Sequence, residues 1–111
     1  MATHEFGMMP QTPGNERYDS YEPQKYHVIP IHDDEIESIL WELHAIPCYW
    51  HTRRRPEWGL AYTGITLIPP ASALRFIVVF RRHNDRGQYD ALMTLFQRAA
   101  EENRYIIHFG I

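Results

Sequence analysis

The sequence has very little cysteine, only one lysine and no long apolar run. Cys48 is the only cysteine of the 111 residues, so the chain cannot close a disulfide on itself or build a multi-cysteine zinc site. No apolar stretch approaches the ~20 residues of a membrane span. The N-terminus lacks the basic start and apolar run of a signal peptide. These absences predict a protein of the reduced cytoplasm with no membrane segment.

Strong positive charge is also missing. The formal net charge is -3 and the isoelectric point is near 6.1, which argues against a nucleic-acid partner. The chain contains no phosphate loop, no dinucleotide-binding glycine pattern and no serine nucleophile elbow. No cofactor is therefore predicted, and the absence of a decisive catalytic signature favours a protein that is not an enzyme.

What is present indicates one folded domain. Hydrophobic residues make up 44% and aromatic residues 14% of the chain, which is typical of a protein with a packed core. Residues 1–25 show neither helical nor strand periodicity, and prolines interrupt them. The segment nevertheless carries apolar side chains that are costly to leave in water: Phe6, Met8, Met9, Tyr18 and Tyr21. We therefore expect an irregular arm over 1–25 that packs on a domain formed by 26–111.

The first half of this domain reads as strand, helix and hairpin. Residues 26–31 favour a strand. Asp33 or Asp34 can then cap a helix that continues to Leu43, because apolar residues recur at helical spacing. Residues 48–53 and 60–68 are rich in aromatic and β-branched residues, which predicts a hairpin with a loop over 54–59.

The second half reads as two helical segments and a strand. Residues 70–80 favour a helix because the double proline before them is a poor strand entry, although a buried strand is the alternative for 76–80. Asn84 or Asp85 can cap a second helix, and Asn103 can close it. Residues 104–109 favour a final strand.

The predicted order is β-α-β-β-α-α-β. It matches a ferredoxin-like α+β fold with a four-stranded, mainly antiparallel sheet and an additional helix. The helices would cover one face of the sheet. The other face would be open to water, to the arm or to a second copy of the chain.

Histidines are the first candidates for a site. His27, His51 and His108 fall on predicted strands, and a three-histidine zinc site is conceivable if they converge. The alternative is three unconnected histidines. In the arm, Glu5 lies beside His4 and can orient its imidazole, or the pair can simply anchor the arm.

Arginines provide the best candidate for an anion site. Arg53, Arg54 and Arg55 precede Trp58 in the predicted hairpin loop, where guanidinium groups and an indole suit a phosphate or carboxylate. A solvated loop is the alternative. A second basic cluster, Arg81, Arg82 and Arg86, contrasts with the acidic start of the first helix, and such a bipolar charge distribution suits a protein-binding surface.

Cys48 is a weak candidate for catalysis. His51 follows it at a spacing that points the two side chains to opposite faces of a strand. A buried structural thiol is the better interpretation.

Several segments resemble a family of small uncharacterised bacterial proteins with an N-terminal His-Glu-Phe-Gly arm and a C-terminal His-Phe-Gly end. The similar residues are 4–9, 16–19, 21–23, 64–70 and 108–111. The resemblance brings no assigned activity. It implies a bacterial cytoplasmic protein in which the arm belongs to the fold.

The sequence thus favours a non-enzymatic module that binds another protein or a second copy of itself. An immunity-type inhibitor of a toxin and a homodimer are examples of this class. The alternative is a small enzyme or ligand-binding protein whose site lies where the arm crosses the sheet. Its polar groups would come from His4, Glu5, His27, His51, Arg53 and His108.

Overall fold

One antiparallel sheet organises the structure, a computed structural model that describes residues 2–111. Within these residues the sheet has six strands: β1 Thr3–Met8, β2 Ile29–His32, β3 Pro47–Trp50, β4 Pro56–Trp58, β5 Ile65–Ile68 and β6 Ile106–Phe109. Their order across the sheet is β2-β1-β6-β5-β3-β4. The prediction of an α+β fold around one antiparallel sheet is confirmed. The expected number of four strands is wrong, because two further strands join the sheet, and the ferredoxin-like plan is therefore not confirmed.

The first additional strand lies in the segment that was expected to be irregular. β1 pairs with β2 on one side and with β6 on the other, so it is internal to the sheet. Its buried residues include His4 and Gly7, which are not typical strand formers. Because both faces of the sheet are covered here, the strand also lacks a clear alternation of apolar and polar residues. Met1 lies outside the described residues.

The second additional strand is β4, which the sequence analysis assigned to a loop. It pairs with β3 and forms an edge of the sheet. Pro56 begins the strand, a position where a missing N–H donor is tolerated. The strand expected over 60–68 is correspondingly short, since only Ile65–Ile68 adopt this conformation.

The helical predictions are partly correct. The helix expected from Asp33 to Leu43 is divided into α1 Asp33–Glu37 and α2 Leu40–Leu43, and His32 rather than an aspartate caps α1 by accepting from the Asp34 N–H at 3.0 Å. Helix α3 extends over Pro70–Arg82, so the preference for helix there was right. Helix α4 extends over Asp90–Glu102 and ends, as predicted, at Asn103 in a left-handed conformation.

Two apolar layers lie on the two faces of the sheet. On one face, sheet residues such as Phe6, Ile68 and Ile106 pack in a single core with side chains from all four helices. On the reverse face, Ile107 and Phe109 belong to a second cluster to which no helix contributes. This cluster is covered by the segment 9–28, through side chains that include Met9, Tyr18, Tyr26 and Val28. The chain therefore covers its own second sheet face.

No helix among residues 2–111 combines the length and the apolar character needed to cross a bilayer.

Close packing at the C-terminus generates a test of this arrangement. A Cβ atom added at Gly110 would lie 2.2 Å from the Tyr62 carbonyl oxygen, so the backbone must shift to accept it. We expect Gly110→Ala to lower the free energy of unfolding by about 1–3 kcal/mol, measured by urea denaturation. Gly14→Ala is the matched control, because its nearest neighbour is the exposed carboxylate of Glu16 at 3.0 Å. Equal midpoints for the two variants would contradict the packing described here.

Candidate functional site

Two buried histidines face each other in the middle of the sheet. His4 on β1 and His108 on β6 are both completely buried. His4 Nδ1 lies 2.9 Å from His108 Nε2, and the two rings are stacked with centroids 5.1 Å apart. An imidazole pair of this kind is unusual in a core because histidine is seldom fully buried.

The histidine pair belongs to a longer chain of hydrogen bonds. His4 Nε2 lies 2.8 Å from Asp33 Oδ1, and the Tyr62 hydroxyl donates to both oxygens of that carboxylate at 2.7 and 2.8 Å. At the other end, His108 Nδ1 lies 3.2 Å from Thr66 Oγ1, which also accepts from the Ala61 N–H at 2.8 Å. The hydrogen bonds thus connect strands β1, β5 and β6 and helix α1 through side chains. They also reach the loop after β4, which carries Ala61 and Tyr62.

The chemistry of the partners determines how the protons are arranged when both imidazoles are neutral. The Asp33 carboxylate can only accept, so His4 Nε2 must carry the proton that it donates. His4 Nδ1 then accepts from His108 Nε2–H, and His108 Nδ1 accepts from the Thr66 hydroxyl. Every donor and acceptor is satisfied, and each proton points toward Asp33.

Electrostatics favour this neutral arrangement at His108. Burial, with a smaller contribution from His4, holds the pKa of His108 well below its usual value of 6.5. The hydrogen bond to Asp33 raises the pKa of Tyr62 to about 12, so this hydroxyl remains a donor. Hydrogen bonds from Tyr62 and then His4 lower the pKa of Asp33. Thr66 is also fully engaged, so the network suits a structural polar core better than nucleophilic catalysis.

The histidines proposed for a zinc site are not brought together. His108 is buried beside His4, whereas His27 is exposed in the turn before β2 and His51 follows β3. Among residues 2–111, no three His, Cys, Asp or Glu side chains are grouped so as to hold a metal ion. Glu5 does not orient His4; it accepts a hydrogen bond from the Tyr21 hydroxyl.

Asp33 takes the orienting role that the sequence analysis gave to Glu5. Asp33, Tyr62 and Thr66 were not identified as partners of the histidines. The sequence analysis explained Asp33 as a helix cap. Asp33 and His4 are 29 positions apart, and no periodic pattern predicts a contact over that separation.

Arg53 connects the core of the sheet with the segment 9–28. Its guanidinium donates to the Pro13 carbonyl at 2.5 Å and lies 5.4 Å from the centre of the Tyr105 ring. These contacts hold the segment in place, and they engage the guanidinium of Arg53 in intramolecular interactions.

The other members of the predicted anion site are also dispersed. Arg55 pairs with Glu57 at 3.0 Å and stacks over Trp50, whereas Arg54 is exposed and Trp58 is 60% exposed on the edge strand. The four residues do not form one cradle for a phosphate or carboxylate.

Cys48 is buried, as predicted. Burial raises the pKa of its thiol to about 12, so the reactive thiolate is disfavoured.

Several large apolar side chains are exposed on α2 and α3. Trp41 is 85% exposed, and Leu74 and Val78 are 51% and 53% exposed. Val78 also lines a groove of about 270 Å³, together with Glu42, Ala45, Ile46, Arg75, Val79 and Arg82. We call Trp41, Leu74, Val78 and this groove the α2–α3 surface.

Positive charge flanks the α2–α3 surface. Arg75 donates to the neutral Ala45 carbonyl at 2.9 Å, so its charge is not compensated by that contact. Arg82 is 3.3 Å from Glu42, which also contacts His83. With exposed Arg81, this region is basic although the chain as a whole is acidic.

No match to this chain was found among protein-family models, curated proteins or solved structures. The resemblance described above therefore depends on its sequence motifs alone.

The histidine pair predicts how stability depends on pH. Because the pKa of His108 is lowered on folding, the unfolded chain takes up a proton near pH 6.5 that the folded chain resists. Stability from this group is therefore present above pH 6.5 and is lost as the pH falls below it, by up to about 1.4 kcal/mol per pH unit. Urea denaturation between neutral and mildly acidic pH measures the effect.

His108→Gln removes this titration, and we expect a flatter pH profile as well as a loss of about 1–3 kcal/mol at neutral pH. His27→Asn is the control, because it removes an exposed histidine and leaves the His4–His108 pair in place. A His108→Gln profile as steep as that of the parent would show that His108 is not the group responsible.

Tyr62 supplies a second test of the network. Tyr62→Phe removes the hydroxyl that is the main cause of the lowered Asp33 pKa, so this pKa should rise toward its usual value. Carbon-detected NMR titration of the Asp33 carboxyl measures the change. Tyr49→Phe, which alters a tyrosine on the other cluster, should leave it unchanged.

Proposed function

We propose that the protein is a protein-binding module that docks an acidic amphipathic helix of another protein on the α2–α3 surface. The observation that carries this proposal is the exposure of Trp41, Leu74 and Val78 on α2 and α3, where Val78 lines a groove that also contains Arg75 and Arg82. Tryptophan and arginine are enriched among the residues that dominate binding energies.

The apolar residues favour a helical partner. Leu74 and Val78 are four positions apart on α3, so their side chains form a stripe along the exposed side of that helix. The groove between α2 and α3 continues this stripe. An amphipathic helix with apolar anchors at matching spacing would bury both features.

The charges favour an acidic partner. Arg75 and Arg81 have no carboxylate partner within the described chain, and Arg82 shares Glu42 with His83. Carboxylates on the rim of a partner helix would complement these guanidinium groups and accelerate the encounter.

The same charges disfavour a second copy at this surface. A two-fold axis through Val78 with antiparallel α3 helices would place Arg75 of one copy opposite Arg81 of the other, which is repulsive. The expectation of a homodimer through the reverse sheet face required that face to be open. The segment 9–28 covers it, so this face does not favour a homodimer either.

Two designed helical peptides test the proposal. They carry the same leucine face, with glutamates on the remaining face in one and lysines in the other. We expect the glutamate peptide to bind at least about ten-fold more tightly and to shift the backbone amides of α2 and α3 in NMR spectra. Arg75→Glu and Val78→Asp should each weaken its binding by about ten-fold or more.

Arg98→Glu is the matched control, since Arg98 is an exposed arginine on α4. It should leave the affinity unchanged. Equal affinity for the two peptides, or affinity unaffected by Arg75→Glu, would overturn the proposal. Sedimentation equilibrium tests whether a second copy of the chain occupies the surface. A dimer that Val78→Asp dissociates would overturn the proposal and assign the surface to self-association.

A further inference from the structure

His51 has an unusual backbone and a firmly held ring. It follows β3 with φ of 64°, in the left-handed region that few residues other than glycine adopt and in which histidine, asparagine and aspartate are the most frequent of those few. Its N–H donates to the Ile65 carbonyl at 2.9 Å, which holds it against β5. Strained conformations of this kind concentrate at functional sites.

The partners of the ring determine its tautomer. His51 Nδ1 lies 2.9 Å from the Tyr18 carbonyl oxygen and 2.9 Å from Asp19 Oδ1. Both are acceptors, so Nδ1 carries a proton, and Nε2 has a free lone pair when the ring is neutral. Nε2 accepts no hydrogen bond from any described residue. Every buried side-chain polar atom among residues 2–111 has a hydrogen-bond partner, so the unpaired Nε2 is not buried and is accessible to solvent.

This nitrogen lies beside a small pocket where the segment 9–28 crosses the sheet. The pocket has a volume of about 190 Å³, and its lining includes Asp19, Tyr21, His51, Gly64 and Phe109. The absence of a side chain at Gly64 is required, since a Cβ atom there would lie 2.6 Å from His51 Nε2. Tyr21 and Phe109 meet edge to face with centroids 5.3 Å apart and form an aromatic wall.

The polar groups around the pocket are mainly acceptors. Asp19 contributes a carboxylate, and His51 contributes the Nε2 lone pair. Glu5 accepts a hydrogen bond from the Tyr21 hydroxyl, whereas Arg17 pairs with Asp19 at 2.7 Å. Asp19 is the one carboxylate in the pocket lining, and with Glu5, the acceptor of the Tyr21 hydrogen bond, two carboxylates stand against the guanidinium of Arg17, a balance that favours N–H donors over anions. The aromatic wall also suits a cation.

We propose that this pocket, which is separate from the α2–α3 surface, binds a small planar organic cation with N–H donors, of the amidinium or guanidinium class. One N–H of the ligand donates to His51 Nε2 and another to the Asp19 carboxylate. The ring of Tyr21 or Phe109 faces the delocalised charge. The pocket volume accommodates a group about as large as an arginine side chain or benzamidine.

A purely structural role for His51 makes a different prediction. In that case Asp19 and the Tyr18 carbonyl serve only to clamp the segment 9–28 to β3, and the pocket has no preference for charge. A series of isosteric ligands separates the two roles, because all members have the same shape and differ in charge.

The experiment titrates the folded protein with benzamidine, benzamide and benzoate and follows backbone amides by NMR. We expect benzamidine to bind with a dissociation constant of about 10 mM or lower and at least ten-fold more tightly than benzamide or benzoate. The largest shifts should fall on Tyr21, Gly64, Phe109 and Gly110, which line the pocket.

Two variants with matched controls complete the test. Asp19→Asn keeps an acceptor for His51 but removes the charge, so benzamidine should bind about ten-fold more weakly while benzamide is unaffected. His51→Asn tolerates the left-handed backbone and removes Nε2, so it should also weaken benzamidine binding. His27→Asn is the control, because His27 is an exposed histidine with φ of 51°.

Equal affinity for the three ligands would overturn the proposal. So would shifts that map outside the pocket, unchanged benzamidine binding in both variants, or no binding at the highest concentration. The spectra of the variants report whether they are folded, and Asp19→Asn, with its isosteric side chain, supplies the charge test even if His51→Asn unfolds.

Discussion

The insertion of β1 between β2 and β6 is the constraint on which the rest of the structure depends. This strand connects one edge of the sheet to its centre, so the first residues of the chain are bound to the last. Its side chains also place His4 against His108 and Asp33. A buried polar group without a partner is costly, so the hydrogen bonds of the histidine pair hold one register of β1 against its neighbours.

The position of β1 also determines where the following residues go. The chain leaves β1 at one end of the sheet and returns at β2, and between them the segment 9–28 crosses the face that the helices leave uncovered. Arg53 and His51 hold this segment by its backbone carbonyls. Two residues that the sequence suggested for ligand binding thus also anchor the chain to itself, and the pocket beside His51 exists because the segment is anchored there.

The two proposed surfaces lie on opposite faces of the sheet and are proposed to take ligands of opposite charge. The α2–α3 surface is apolar and flanked by arginines, and it suits an acidic helix. The pocket at His51 is lined by an aromatic wall and by acceptors, and it suits a cation. The basic cluster and the acidic helix start that the sequence analysis contrasted are not segregated, because Arg86 lies 2.7 Å from Glu35 in the first turn of α1.

What the sequence determined alone was mostly local. Helices α3 and α4, the left-handed end at Asn103 and the buried Cys48 follow from spacing, proline position and side-chain type within a few residues. Only the tertiary structure could decide that Thr3–Met8 is an internal strand, that His4 meets His108 across 104 positions, and that Arg53, Arg54 and Arg55 are dispersed. The physical reason is that strand pairing and buried hydrogen bonds join residues far apart in sequence, where no periodicity records which partners will meet.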